Sequence, residues 1–172
     1  SLGIALVPES RRDQGLCLNL GVGININLPI YKRLSRGPII NPVAEKAAAD
    51  KQIHDVQIKT YSRDALASSL SGGNQQKIVV GKWLNHGAEL FIFDEPTVGV
   101  DVGTKVEIYK LFAKLLHAGA GIILISSYLP EVYDISDTLH VFRRGRLVAT
   151  HDSANVAEKT AHETILTQAI GV

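Results

Sequence analysis

Two short stretches constrain this chain more than all the rest: Leu-Ser-Gly-Gly-Asn-Gln-Gln-Lys at residues 70–77 and Leu-Phe-Ile-Phe-Asp-Glu at residues 90–95. Adjacent glycines carry no Cβ atoms, so a polyanion can approach the backbone, and a helix N-terminus offers it N–H donors and a favourable dipole. Ser71 adds a hydroxyl and is expected to cap that helix, which should run from about Gly73 to Asn85 and stop at Gly87. The apolar run ending in Asp94-Glu95 reads as a buried strand with two carboxylates at its tip, where a metal and a water can be held. Sixteen residues separate Lys77 from Asp94, enough for one helix and a short turn.

The 172 residues suit one domain, and 45% apolar with 20% charged residues is an ordinary globular composition. A net charge of +1 argues against a strongly basic nucleic-acid surface. The single cysteine, Cys17, excludes an internal disulfide and is expected to be a small buried side chain. No apolar run approaches the ~20 residues of a membrane span, so membrane association is expected to come through a partner. His54, His86, His117, His140, His151 and His162 show no metal-ligand spacing. The chain contains no Met and opens directly on the strand-like Leu2–Val7, which suggests a fragment of something longer.

Along the chain, Leu2–Val7 reads as a buried strand stopped by Pro8, and residues 9–15 as a loop. Residues 19–31 are ambiguous: the alternation of Val22, Ile24, Ile26, Leu28 and Ile30 suggests a strand. Residues 43–53 are rich in helix formers. Residues 58–67 read as loop. The stripe Val106, Ile108, Leu111, Phe112, Leu115 and Leu116 predicts a helix over 102–118, ended by Gly119. Residues 121–125 predict a buried strand and 129–135 a short helix. Residues 138–142 and 146–150 predict a hairpin around a solvated turn of Arg143, Arg144 and Arg146, and 154–170 a closing helix. Strands alternating with helices argue α/β with a largely parallel sheet.

The Leu70–Lys77 motif and the Leu90–Glu95 strand together resemble the signature motif and Walker B strand of an ATP-binding cassette (ABC) ATPase. The form with Asn74, where the commoner pattern has Gln, is similar to the sugar importers (ribose, galactose or xylose type), whose ATPase subunit carries two cassettes in one chain. The resemblance implies an α/β, parallel-sheet P-loop NTPase core with a helical subdomain. It implies ATP and Mg2+ as cofactors. Ser71, Gly72, Gly73 and Asn74 would close over the γ-phosphate held by a second, head-to-tail cassette. Asp94 would be the Mg2+ partner and Glu95 the general base. Asp101, in Val98-Gly99-Val100-Asp101, matches the D-loop acid. Glu9, in Val7-Pro8-Glu9, stands where most members carry the Q-loop Gln; the other reading makes it a loop acid paired with Arg11 or Arg12. Ser127 stands where the switch histidine is common, and serine can hydrogen-bond but carries no charge. For residues 21–28 the resemblance favours a helix. The helical region around residues 16–68 would face membrane permease subunits, at the cytoplasmic face of the inner membrane. A DNA-associated ABC ATPase is disfavoured, since there is no heptad run and no Cys cluster.

Nowhere does a G-x-x-x-x-G-K-[ST] loop occur, the element that cradles the phosphates of a chain's own nucleotide. The resemblance therefore implies a partial cassette lacking the N-terminal Walker A strand and loop. Residues 9–88 would form its Q-loop, helical and signature region, 89–150 the Walker B to switch region, and 151–172 the C-terminal helix. The isolated chain is expected to show weak or no ATPase activity. The family's strand order puts the phosphate-loop strand beside residues 121–125. That edge is expected either to pair with a second copy or to be closed by residues 138–142.

Overall fold

The computed structural model describes residues 2–152, 164, 165 and 167–169. In chain order they form β1 (Ile4–Val7), a π-helical turn (Arg11–Gly15), α1 (Val22–Asn27), α2 (Tyr31–Leu34), β2 (Ser35–Arg36), β3 (Ile39–Ile40) and α3 (Pro42–Asp55). Then come α4 (Gly72–His86), β4 (Leu90–Asp94), α5 (Val102–His117), β5 (Gly121–Ile125), α6 (Leu129–Ile135), β6 (Thr138–Arg143) and β7 (Arg146–Asp152). Residues 9–15 are thus not the open loop expected: Ser10 accepts from the Asp13 amide, and the chain coils into a single turn. The chain divides into two compact units, residues 1–123 and 124–172.

The first unit is built on a sheet of order β1-β4-β5, with β1 and β4 parallel and Ile4 to Val7 facing Leu90 to Phe93 in register. One face carries Ala5, Val7, Phe91 and Phe93, all buried. Phe93 reaches Phe112 of α5 with ring centroids 4.4 Å apart, so α5 covers this face with its apolar stripe of Ile108, Leu111, Phe112 and Leu115. The opposite face carries Ile4 and Leu6, which are 50% and 52% exposed. A Cβ on Gly121 would touch Leu90 at 3.1 Å, which puts Gly121 and Ile123 on that same open face. Parallel sheets are ordinarily covered on both sides, so this apolar face is an open surface of the unit. Among the named strands β5 pairs only with β4, and β6 pairs with β7 instead. The expected intramolecular closure of the β5 edge by residues 138–142 is therefore not what forms.

Residues 22–27 form helix α1, continued by a 3-10 turn at Leu28–Ile30, and the spacing explains it. Val22, Ile26 and Ile30 are buried, four residues apart, whereas the intervening Ile24 and Leu28 are partly exposed. Helix α1 packs between α3 and α4. The buried amides that a strand would leave without partners are satisfied here: Asn25 Nδ2 donates to the carbonyls of Cys17, Leu20 and Gly21, and Asn27 Nδ2 to Glu45 O at 2.8 Å. Asn85 of α4 donates to Asn27 Oδ1 at 2.9 Å and locks the two helices together. Cys17 is exposed, contrary to expectation, because only its backbone is held by Asn25. Helix α3 is capped by Asn41, which accepts from Val43 N and Ala44 N, and Pro42 starts it.

In the second unit β6 and β7 form an antiparallel hairpin with Arg144 and Gly145 both at positive φ, the requirement of a tight two-residue turn. Val132, Leu139, Val141 and Ile165 form its core. Of the expected closing helix over 154–170, residues 164, 165 and 167–169 are helical; the remainder lies outside the described residues.

Candidate functional site

Three sequence-predicted acids are organised by the carboxyl end of the β1-β4 pair. Val7 lies beside Phe93, so Pro8-Glu9 and Asp94-Glu95 leave the sheet at the same end, where parallel α/β sheets bind ligands. Glu9 is exposed, and among the described residues no ion pair joins it to Arg11 or Arg12. Asp94 is half-buried at the last position of β4. Glu95 adopts φ 45°, a left-handed conformation that costs a non-glycine residue about 1 kcal/mol or more. The chain turns sharply there, and Pro96 and Thr97 behind it are buried. No group of three or more His, Cys, Asp or Glu side chains among the described residues could hold a metal by itself. Mg2+ does not require such a cage, being held by one or two carboxylates with phosphate and water oxygens, and the half-buried Asp94 carboxylate fits that role.

The glycine motif opens α4 as expected, with Ser71 at the N-cap position and Gly87 closing the helix at φ 89°. The Ser71 hydroxyl does not cap the helix amides, contrary to the sequence reading. Asn74 captures it: Asn74 Nδ2 donates to Ser71 Oγ at 2.9 Å, while Asn74 Oδ1 accepts from Lys59 N at 2.8 Å. Ser71 Oγ thus accepts from a side chain rather than from a helix amide, and Ser71 itself is exposed. The N–H groups of Gly72, Gly73 and Asn74 belong to the first helical turn, which has no intrahelical acceptors. Asn74 thus acts on Ser71 and on the 59 loop.

Gly73 is needed because a Cβ there would meet Thr104 Cγ2 of α5 at 2.6 Å. Thr104 in turn donates its hydroxyl to Asp101 Oδ2 at 2.7 Å and its amide to Asp101 Oδ1 at 2.9 Å. These bonds cap α5 and hold the Asp101 carboxyl below the usual carboxylate range. One contact thereby joins Gly73 to the Asp101–Thr104 cap. A second link lies a turn further on. Lys77 is 7% exposed and donates to Glu107 Oε2 at 2.9 Å and to Gln57 O at 3.2 Å. The exposed Lys59 donates to Glu107 Oε1 at 2.9 Å. Hydrogen bonds from Lys59 and then Lys77 pull the Glu107 carboxyl down to about 2.

Ser127 follows β5 and begins the second unit's connection to α6. It is exposed. Its neighbour Ser126 is the anchored one, donating to the buried Glu131 at 2.7 Å and accepting from Tyr128 N at 3.1 Å. The motifs gave no sign of Thr104 or Glu107, and Arg11 entered only as a candidate partner of Glu9, not as the neighbour of Gly72 that its guanidinium is. Gly73, Lys77 and Gly72, the α4 residues these three meet, lie about 30 to 61 residues away in sequence, and pattern alone carries no signal for such meetings.

The comparisons agree with this geometry. A family model for the ABC transporter matches residues 6–98, more than half of the chain. The ribose import ATP-binding protein RbsA of Pseudomonas putida is 42% identical over 147 residues, 86% of this chain and 29% of that protein. The xylose import ATP-binding protein XylG of Thermoanaerobacter pseudethanolicus is 45% identical over 145 residues, 84% of this chain and 29% of that protein. The chain thus spans less than a third of the length of these relatives. Among solved structures, cbiO1 from Clostridium perfringens, part of the ABC transporter complex cbiONQ, superposes with a TM-score of 0.74 at 19% identity, covering 96% of this chain and 63% of that one. The α/β fold with its parallel sheet is that of the ABC ATPases, and the chain belongs to the ABC transporter family, with the ATP-binding proteins of sugar importers among its relatives.

Proposed function

We propose that this chain supplies the signature half-site and the catalytic acids of the ATPase that drives a carbohydrate importer of the ribose and xylose class. One observation carries the reading: an exposed Ser-Gly turn opens α4, its serine hydroxyl held by Asn74 instead of capping the helix amides, on the same unit as an acid pair at the tip of β4. In this reading Ser71 and the first-turn amides of α4 bind the terminal phosphate of a nucleotide held by a second cassette. Asp94 would hold Mg2+, which supplies charge neutralisation at the phosphates when bound. Glu95, held in its sharp turn, would orient a water and take its proton. Asp101 would meet the opposite cassette, fixed in place by Thr104. Glu9 would accept from metal-bound water, and Ser127 would offer a neutral hydrogen bond where a charged group would accelerate the reaction more. The helical region of residues 16–68 would dock on permease subunits at the cytoplasmic face of the membrane. None of the described helices is long and apolar enough to cross a membrane.

A second reading makes the chain a non-catalytic module that completes a partner's site. Ser127, a neutral side chain where a charged group would accelerate the reaction more, favours it. Phosphate release from the chain, from a cassette with an intact phosphate loop, and from their mixture separates the two. Turnover in the mixture above the sum of its parts, lost on Ser71→Ala, supports the shared half-site. Additional dependence on Glu95→Gln supports the catalytic reading, and independence from it supports the non-catalytic one. A mixture equal to the sum of its parts overturns both.

A further inference from the structure

Arg11 has a position that the function above does not use. It is the first residue of the π-helical turn that follows β1. That turn is pinned to α4 at its far end: Lys82 Nζ donates to Gly15 O at 2.7 Å, and a Cβ on Gly15 would press Val79 Cγ2 at 3.0 Å. The Arg11 side chain is thereby delivered to the start of α4. A Cβ added at Gly72 would stand 2.6 Å from Arg11 Nη2, 3.3 Å from Cζ and 3.7 Å from Nε. The guanidinium therefore lies over the signature glycine, in space that any other residue at position 72 would fill.

No acid answers this charge. No ion pair among the described residues includes Arg11, and its Nε is buried without a hydrogen-bond partner. Burial, and secondarily the neighbouring Arg12, lower its proton affinity. An arginine stays protonated all the same, so a half-buried cation sits beside a like charge and over the start of a 15-residue helix, the positive end of its dipole. The like charge and the dipole oppose it in the free chain, and a bound anion offsets both.

We infer that Arg11 is a phosphate ligand of the signature site, its guanidinium and the first-turn amides of α4 binding one phosphoryl group between them. The inference rests on the proposed role of Ser71 and deepens it, because it makes the site a charged one. The ligand class is the terminal phosphoryl of a polyphosphate. A guanidinium donates two parallel N–H bonds to such a group, which an ammonium cannot reproduce.

The test is a titration of the full chain with inorganic triphosphate, without metal, followed by the amide resonances of Gly72, Gly73 and Asn74. The expected result is a saturable movement of these signals. Its affinity should fall at least tenfold in Arg11→Ala, fall less in Arg11→Lys, and stay unchanged in Arg12→Ala. Gly72→Ala, which displaces the guanidinium and keeps the arginine, should reproduce the loss while the remaining spectrum stays folded. Wild-type affinity in Arg11→Ala, or no saturable movement in the unsubstituted chain, overturns the inference. The half-site reading is judged separately, by the Ser71-dependent turnover of the mixed cassettes.

Discussion

Gly73→Ala offers the sharpest test of how the signature motif is held. The added methyl would lie 2.6 Å from Thr104 Cγ2, about 1 Å inside an ordinary carbon–carbon contact of ~3.5–4.0 Å. The added Cβ is fixed to the α4 backbone, and the Thr104 hydroxyl bond to Asp101 holds the rotamer that places Cγ2, so neither can swing away freely. Overpacking of this kind costs about 1–3 kcal/mol. Replacing glycine by alanine in a helix returns up to about 1 kcal/mol, and less in the first turn. The net expectation is a loss of roughly 1–2 kcal/mol in urea unfolding. Thr104→Ser removes the offending Cγ2 and keeps the hydroxyl that Asp101 accepts from; this half-buried methyl is worth about 0.5 kcal/mol. The double variant Gly73→Ala/Thr104→Ser should therefore be hardly less stable than Thr104→Ser alone, a coupling of roughly 1–2 kcal/mol. Strict additivity of the two single losses would refute the claim that Gly73 is set by Thr104.

Three further outcomes follow from the geometry. Glu107 is held at about 2 by Lys59 and Lys77, so its stabilising contribution is complete above the ordinary carboxylate pKa of about 4.3 and disappears as pH falls toward 2. Glu107→Gln should cost about 1–2 kcal/mol at neutral pH, with the gap closing in acid unfolding curves between about pH 4 and 2; a pH-independent gap would count against the ion pair. Calorimetric titration of Mg·ATP into the isolated chain should give no heat of binding that depends on Asp94, and binding lost on Asp94→Ala would show that a metal-nucleotide site assembles without the phosphate loop. Sedimentation should reveal self-association through the open β5 edge and the adjoining apolar face. Ile123→Lys should shift the chain toward monomer, and a wild-type chain that is already monomeric at micromolar concentration would remove that idea.

How much was legible follows from the range of the forces involved. Strands β1, β4 and β5 are short apolar runs bounded by Pro8, Glu95 and Gly119-Ala120, so their existence is a local property, but their expected burial is not what forms: β1 buries one face only and no residue of β5 is buried, because burial depends on what packs against each face. Gly87 ends α4 in the left-handed region, as its type requires. The segment at 19–31 was ambiguous because Val22, Ile26 and Ile30 satisfy both a period of two and a period of four. Contact with α3 and α4 decides between them. The Ser71 hydroxyl looked like a helix cap, and every local rule supports that. It was misassigned because Asn74, tied to Lys59 N on another segment, competes for it successfully. Arg11 over Gly72 and Lys77 on Glu107 are meetings of residues far apart in the chain. Only the folded arrangement of β1, α4 and α5 creates them.

The two open surfaces of the first unit obey different physics, and this separates the partners they can take. The sheet face of Ile4, Leu6 and Ile123 offers area alone: covering three half-exposed aliphatic side chains is worth about 2–4 kcal/mol and has no charge to match. The start of α4 offers polar groups instead: the Arg11 guanidinium over Gly72, an exposed Ser71 hydroxyl, and first-turn amides with no intrahelical acceptors. Salt leaves the first interaction intact or strengthens it, and screens the second within a distance of about 8–10 Å. A covering chain on the sheet and a phosphate on the signature turn are therefore independent requirements. Raising ionic strength should release the phosphate while the sheet contact persists. A cassette complete at its sheet but lacking Arg11 would still associate through that face, and would fail at the step where the terminal phosphoryl group has to be recognised.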